Sequence, residues 1–458
     1  MLGLLSVSAF FIWFENFKHS RTRSIDEIVY YRMAEQLLRD PLDYNTIPYG
    51  QELSRAGRPL PEYFFRPLFK HPPLFTYLVA LALKLFGNDM NNAAFVPLLF
   101  GVLTIPLAYF LGKNIFSTSV GIIAAFIVWA DPVSIISSQK IWMDSTISCL
   151  MVATILCYVL ALKRNQSVFY IAGGVVAGLA VLTKYTGLLP WFILIVYSVL
   201  FRRDLFGNKL FRLGLVLPIL LLLPWIYWNY LVYGSELASV IINLNDDTKL
   251  LSVLLKVLPA VLLVAAGVIF FLSRSRKKNV GQPSRSATSL DNTLLDKYFL
   301  IIGGAITLLL VPDIIRSLSF FHLPQTSWQQ NFFAYEPAWF YFKQLIIFSL
   351  LYLFAFAGLF FRRYGESGKF LQFSAFVILL FFIAWRNYQC RYVMASLPLL
   401  AVLAAETIMF LWAKIALIKG DFVRKLVAVL FLIVFIYIIS KLNFVNTLIS
   451  FPNDLCYY

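Results

Sequence analysis

The chain is poor in charge. Asp, Glu, Lys and Arg supply only 14% of its 458 residues, against about a quarter in an ordinary soluble domain. Acids are the scarcer sign, 23 against 39 Lys and Arg, for a formal net charge of +16. A basic balance of that size can mark a nucleic-acid partner. Here the basic residues are spread over short segments between apolar runs, where they set orientation in a bilayer, and that partner is excluded. Histidine is sparse, with three residues. So is cysteine, with Cys149, Cys157, Cys390 and Cys456. The cysteines have neither metal-site nor redox spacing, and they identify no compartment. Cys149 and Cys157 fall in one apolar run and read as small packing residues. Alternating apolar and polar positions are missing too, which excludes a transmembrane β-barrel.

What the chain has is apolar length. It is 60% hydrophobic, with a mean hydropathy of +0.77. Apolar stretches of about 18–22 residues recur, the length that crosses a bilayer as a helix. The fold class predicted is an all-α polytopic membrane protein. The first apolar segment, Leu2–Phe14, is short enough for a signal-peptide core, but it has no basic flank and no small-residue cleavage site. It reads as a first span. Further spans are expected at 93–112, 117–135, 145–162, 168–182, 187–201, 211–231, 251–272, 298–316, 342–361, 369–385, 394–414 and 425–443, giving about 13 in all.

Alternate loops carry the basic clusters: Lys113, Lys163–Arg164, Arg202–Arg203, Arg274–Lys278, Arg362–Arg363 and Lys414–Lys425. That side is expected to be cytoplasmic. The assignment works only if the apolar segment Pro72–Gly87 does not cross, so a helix lying in the outer interface is predicted there. Residues 15–92 then form a long first extracytoplasmic loop with interfacial helices, and 317–342 a second, aromatic-rich one. Lys18, Arg21 and Arg23 stand against the charge rule. The chain reads as one transmembrane domain, 1–458, with no separate soluble domain.

Ser24 and Glu27 in "SRTRSIDEIVYYRMAEQLLRD" have the spacing of a helix capping box. That leaves Asp26 in the first helical turn, where the helix dipole favours an ionised carboxylate. A charged, immobile carboxylate suits a general base; it also suits a plain helix start. Glu27 either closes the box or adds chemistry. Asp144 either caps the next helix or joins a site. Lys184 could snorkel, Arg391 could be an interfacial anchor, and His71 could be structural before Pro72-Pro73.

The pieces "DEIVYYRMAEQLL", "HPPLFTYLVALALKLFG", "SSQKIWMDSTISCLMVATI", "GLAVLTKYTGLLP", "EPAWFYFKQL" and "CRYVMASLPLLAVLAA" follow one another along the chain. In that order they resemble the C-type polytopic membrane glycosyltransferases of the protein O-mannosyltransferase and aminoarabinose-transferase superfamily. The resemblance implies that family's membrane fold and transfer of a monosaccharide, with inversion, from a polyprenyl-phosphate donor to a protein, lipid or glycan acceptor. It implies Asp26 as the base and a cationic pocket for the leaving phosphate, with Arg391, Lys184 and His71 as the first candidates. Glu27, Asp144, Lys70, Arg66 and Arg386 are further site candidates. With the charge pattern above, the resemblance has the site facing outward, and since no insertion is long enough for the sugar-binding repeats of eukaryotic protein mannosyltransferases, an integral protein of a prokaryotic plasma membrane is expected.

Two departures qualify this. Lys70 and His71 stand where the aminoarabinose-transferase branch has an acid and a lysine, so no metal ligand is assigned and a divalent cation is left open. No Trp-Trp-Asp motif is present, which argues against an oligosaccharyltransferase catalytic subunit. A ligase or polymerase of lipid-linked glycans is the alternative enzyme, and a lipid or solute transporter the alternative class.

Overall fold

The computed structural model describes residues 1–19, 24–57, 60, 62–164, 166–236, 340–361, 364–385 and 389–440. The chain divides into two compact units. One is Met1–Val240 with Phe342–Leu379 and Gln389–Tyr458; the other is Ile241–Tyr341 with Leu380–Tyr388. Nearly all described residues belong to the first. They form helices, short helical turns and loops, with no strand among them.

The helices are α1 (Leu2–His19), α2 (Ile25–Arg39), α3 (Ile47–Arg55), α4 (Leu74–Phe86), α5 (Met90–Ala93), α6 (Phe95–Ile115), α7 (Thr118–Ala130), α8 (Pro132–Ser138), α9 (Met143–Arg164), α10 (Val168–Thr183), α11 (Leu189–Phe201) and α12 (Lys209–Tyr233). After the undescribed segment come α13 (Phe340–Phe348), α14 (Tyr352–Phe361), α15 (Glu366–Trp385), α16 (Leu397–Ala416) and α17 (Asp421–Ser440). Five helical stretches are long and apolar enough to cross a membrane: Met90–Ile115, Met143–Lys163, Lys209–Tyr233, Glu366–Ile383 and Leu397–Ala416. The bent pair α7–α8 makes up to six. The expected spans at 251–272 and 298–316, residues 317–339 of the expected aromatic loop 317–342, and Arg386 lie outside the described residues; residues 340–342 of that loop are the start of helix α13.

Local chemistry starts and breaks these helices. Ser117 caps α7 by accepting from the Val120 N–H, and Asn208 caps α12 from Leu210 and Phe211. The expected continuous span at 117–135 is broken, with a 59° bend between Ala130 and Pro132. A residue before proline is pushed out of the helical region. Asp131 sits there in extended conformation, and its carboxylate accepts from the Ser134 N–H. The expected span at 342–361 is likewise two helices, because Ser349 turns the chain and its Oγ accepts from the Leu351 N–H at 3.2 Å. Helix α1, at 18 residues, outruns its apolar core.

Close approach of backbones knits the first unit. A Cβ on Gly174 of α10 would stand 2.3 Å from the Gly214 carbonyl of α12, and one on Gly112 of α6 would stand 2.9 Å from the Gly121 Cα of α7. The 22 residues of α9 span about 33 Å at 1.5 Å each, close to the thickness of a bilayer's apolar core. At one end Lys163 donates to the Asn114 carbonyl and Arg202 pairs with Glu366 and Asp204. Asp144 lies at the other.

There the segment between α1 and α6 folds onto the span ends. Tyr30, Phe69 and Phe75 pack with Ile141, Met143 and Trp225 in one apolar cluster. The Tyr44 ring stands edge-on to Trp225 at 5.8 Å, and its hydroxyl donates to the His71 carbonyl at 3.0 Å. Helix α4, the expected interfacial helix, buries Phe75, Val79 and Leu83 and exposes Leu81, Leu85 and Phe86.

Candidate functional site

Helix α2 begins as its sequence predicts. Ser24 Oγ accepts from the Glu27 N–H at 3.4 Å, and Glu27 Oε1 accepts from the Ser24 N–H at 2.9 Å. The box is complete. Glu27 is also fully buried and tied to the turn before α9: Lys140 Nζ stands 3.6 Å from Oε1, and the Ile141 N–H donates to Oε2 at 3.3 Å. Its observed contacts are those of a clamp.

Asp26, one residue earlier, is 47% exposed and meets Arg391, which is 10% exposed. Arg391 Nη2 donates to Asp26 Oδ2 at 2.8 Å. Arg391 Nε donates to Gln389 Oε1 at 2.7 Å and lies 3.8 Å from Asp144 Oδ2. Lys184 Nζ pairs with Asp144 Oδ1 at 3.3 Å. Four elements therefore meet here: α2, the start of α9, the end of α10 and the turn before α16. Two rings bracket the cations. The Arg391 guanidinium lies 4.4 Å from the Trp142 ring centre and 5.5 Å from that of Tyr392, over which Lys184 Nζ also sits, at 4.5 Å.

The charges shape the titration of the site. Burial opposes ionisation of Asp26, but the charge and hydrogen bond of Arg391, helped by Lys70 and Lys184, prevail and hold its carboxyl below the ordinary value. Burial pushes His71 well below the usual imidazole value, and Lys70, Lys184 and Arg391 push the same way. His71 is therefore a neutral imidazole at pH 7. Its ring stands edge-on to Phe69 at 5.4 Å. Burial raises the Tyr30 hydroxyl, with Asp26 adding to the effect.

Of the residues nominated from sequence, Asp26, Arg391, Asp144 and Lys184 come together in contact. Lys70 and His71 share their electrostatic field. Glu27 lies behind Asp26, on the buried side. The charge of Arg66 acts on Tyr233 at the end of α12. Arg386 is outside the described residues. Sequence reasoning did not nominate Lys140, Trp142, Gln389 or Tyr392. Lys140 had a signal, a cation four residues before Asp144; the aromatic residues had none that separates them from interfacial anchors. Among the described residues no group of three or more His, Cys, Asp and Glu side chains comes together as a metal site would need. Cys390, beside Arg391, is buried and disulfide-bonded, whereas Cys149 and Cys157 are free thiols.

Among the described residues the site is a carboxylate–guanidinium pair at one end of apolar helices, and comparison with known proteins shows what such a chain is similar to. The family model described as dolichyl-phosphate-mannose-protein mannosyltransferase matches residues 70–228. That range contains Lys70, His71, Asp144 and Lys184; Asp26 and Arg391 lie outside it. Among solved structures, ArnT from Cupriavidus metallidurans in the apo state aligns with a TM-score of 0.53 at 16% identity, over 97% of this chain and 72% of that one. The same protein bound to undecaprenyl phosphate aligns at 0.52 and 15%, with the same coverage. The archaeal oligosaccharyltransferase AglB from Archaeoglobus fulgidus, in complex with an inhibitory peptide and a dolichol-phosphate, aligns at 0.57 and 17%, over 97% of this chain and 56% of that one. The resemblance drawn from the sequence is thus found again in a family model and in the fold. No curated protein sequence matches the chain.

Proposed function

We propose that the protein is a membrane glycosyltransferase that moves a monosaccharide from a polyprenyl-phosphate donor to a nucleophilic acceptor, with Asp26 as the general base. One observation carries this reading. Asp26 is ionised, half open to the surroundings, and held on an arginine that belongs to a cluster of cations at one end of the bundle.

The chemistry follows from the charges. As the acceptor oxygen or nitrogen attacks the anomeric carbon, its proton passes to Asp26. The bond from that carbon to the phosphate oxygen breaks, and the oxygen keeps the electron pair. The leaving polyprenyl phosphate gains one negative charge. Cations aimed at developing charge are worth most where water is excluded, and a guanidinium forks onto phosphate oxygens. Arg391 is the first residue for that role, with Lys184 and Lys70 beside it. His71, being neutral, contributes hydrogen bonding and no charge. Attack opposite the leaving phosphate gives inversion at the anomeric carbon.

Arg391 also couples the two steps. A phosphate that draws the guanidinium toward itself weakens its hold on Asp26, so the carboxylate becomes a stronger base as the donor binds. The exposed face of α4, with Leu81, Leu85 and Phe86, suits a helix lying in the interface beside the entry of a polyprenyl chain. The basic ends near Lys163 and Arg202 suit the cytoplasm, which supports an outward-facing Asp26.

The test is transfer by the purified full-length chain of labelled mannose, then other labelled monosaccharides, from polyprenyl-phosphate donors to cell-envelope acceptors, with release of polyprenyl phosphate. Asp26→Asn is expected to lose at least about a hundredfold in rate, the lower end for general-base removal. Full activity in Asp26→Asn defeats the assignment. Sugar movement across vesicles without bond cleavage defeats the enzyme reading and supports a transporter.

A further inference from the structure

Trp142 is 1% exposed and sits in the turn before α9. Its two chemically distinct parts serve two different elements. The indole Nε1–H donates to Ser24 Oγ at 2.9 Å, the cap of the helix that carries Asp26. The ring face carries the Arg391 guanidinium at 4.4 Å. Asp26 and Arg391 are 365 residues apart in sequence, and Trp142 is attached to both sides of the bond between them. Its neighbours tighten the grip, since the Ile141 N–H and Lys140 both hold Glu27. A guanidinium stacked on a ring keeps its N–H edge for in-plane bonds, so the stack and the bond to Asp26 do not compete. A residue that only filled the core would need neither a hydrogen bond to the helix cap nor a cation on its face.

We propose that Trp142 is a positioning residue for the glycosyl transfer, a ring that holds Arg391 in register with Asp26 by gripping the cap of α2. The inference rests on the glycosyltransferase reading for its functional meaning. The geometry can be tested without any turnover. A carbodiimide with glycine ethyl ester modifies a carboxyl group through its protonated form, and peptide mass spectrometry reads the yield at each residue. Asp26 faces Arg391, Lys70 and Lys184, with Asp144 and Tyr30 as the opposing neighbours, so its labelling reports how Arg391 is seated.

In full-length protein held in nanodiscs at pH 6, Trp142→Leu is expected to raise labelling of Asp26 about tenfold, the equivalent of one pKa unit. The remote carboxylate Asp421 should label as in wild type. Trp142→Phe keeps a ring and loses the N–H, and is expected to raise labelling about threefold. In the transfer assay both variants should lose kcat by a larger factor than the donor KM changes. A monodisperse Trp142→Leu protein with wild-type labelling at Asp26 overturns the proposal. If that variant does not fold, unchanged labelling in Trp142→Phe overturns it equally. Shifted labelling in a chain whose wild type transfers no sugar would sink the glycosyltransferase reading and leave the bridge standing.

Discussion

Replacing Arg391 by leucine tests the electrostatic core of the site. Asp26 titrates below its ordinary value because the Arg391 charge and hydrogen bond outweigh the burial that opposes them. A hydrogen bond to a charged partner contributes about 1.5–3 kcal/mol. The Asp26 side chain is 47% exposed, so solvent screens the pair, and the lower figure of about 1.5 kcal/mol is the appropriate one. That corresponds to about one pKa unit. A carboxyl depressed in the folded state stabilises the protein above its unfolded pKa of about 3.9, and the contribution is lost as pH falls through the folded value. Arg391→Leu should therefore move the acid limb of kcat/KM upward by about one unit. On the proposed phosphate role of Arg391, it should also lower kcat by about a hundredfold or more. Arg391→Lys keeps the charge without the fork and should fall between. The assay is initial transfer rate against pH from 3.5 to 8 at subsaturating donor, on protein checked for monodispersity at each pH. An Arg391→Leu enzyme with an unmoved acid limb and wild-type rates would refute both the pairing and the phosphate role.

Two further predictions concern the scaffold. Lys140→Met removes from the buried Glu27 carboxylate a cation that stands 3.6 Å away. Breaking such a pair costs about 3–5 kcal/mol, and the lower end is expected because Ser24 and Ile141 still donate to Glu27. Thermal unfolding in detergent should show it, and Glu27→Gln combined with Lys140→Met should recover part of the loss; a lone Lys140→Met change within about 0.5 kcal/mol of wild type speaks against the clamp. Gly174→Ala would set a methyl 2.3 Å from the Gly214 carbonyl, where backbone cannot swing aside. A destabilisation of about 1–3 kcal/mol is expected in the same assay, with donor KM unchanged in the surviving folded fraction; wild-type unfolding would show that α10 and α12 do not approach so closely.

The residues differ in how far local sequence determines their place. The start of α2 was readable because a capping box is a contact between positions three apart. Ser24 and Glu27 carry it whatever the rest of the chain does, and Asp26 stands between them in the first turn. Apolar length and the lysine and arginine clusters were readable for a similar reason, since each run answers to the solvent around it. The break at Asp131 was missed although its cause, Asp131 before Pro132, is local. An apolar average smooths over a single residue that leaves the helix to cap the next one.

The sequence by itself determined a helical membrane chain, the helix that presents Asp26, and an order of motifs that resembles a membrane glycosyltransferase family. Only the tertiary structure decided that Arg391 binds Asp26, that Lys140 belongs to Glu27 and Lys184 to Asp144, and that Trp142 touches both sides of the central pair. Local composition dictates conformations reached over a few residues. Which charge meets which depends on how span ends far apart in sequence come to rest side by side, and that is set by the packing of whole helices.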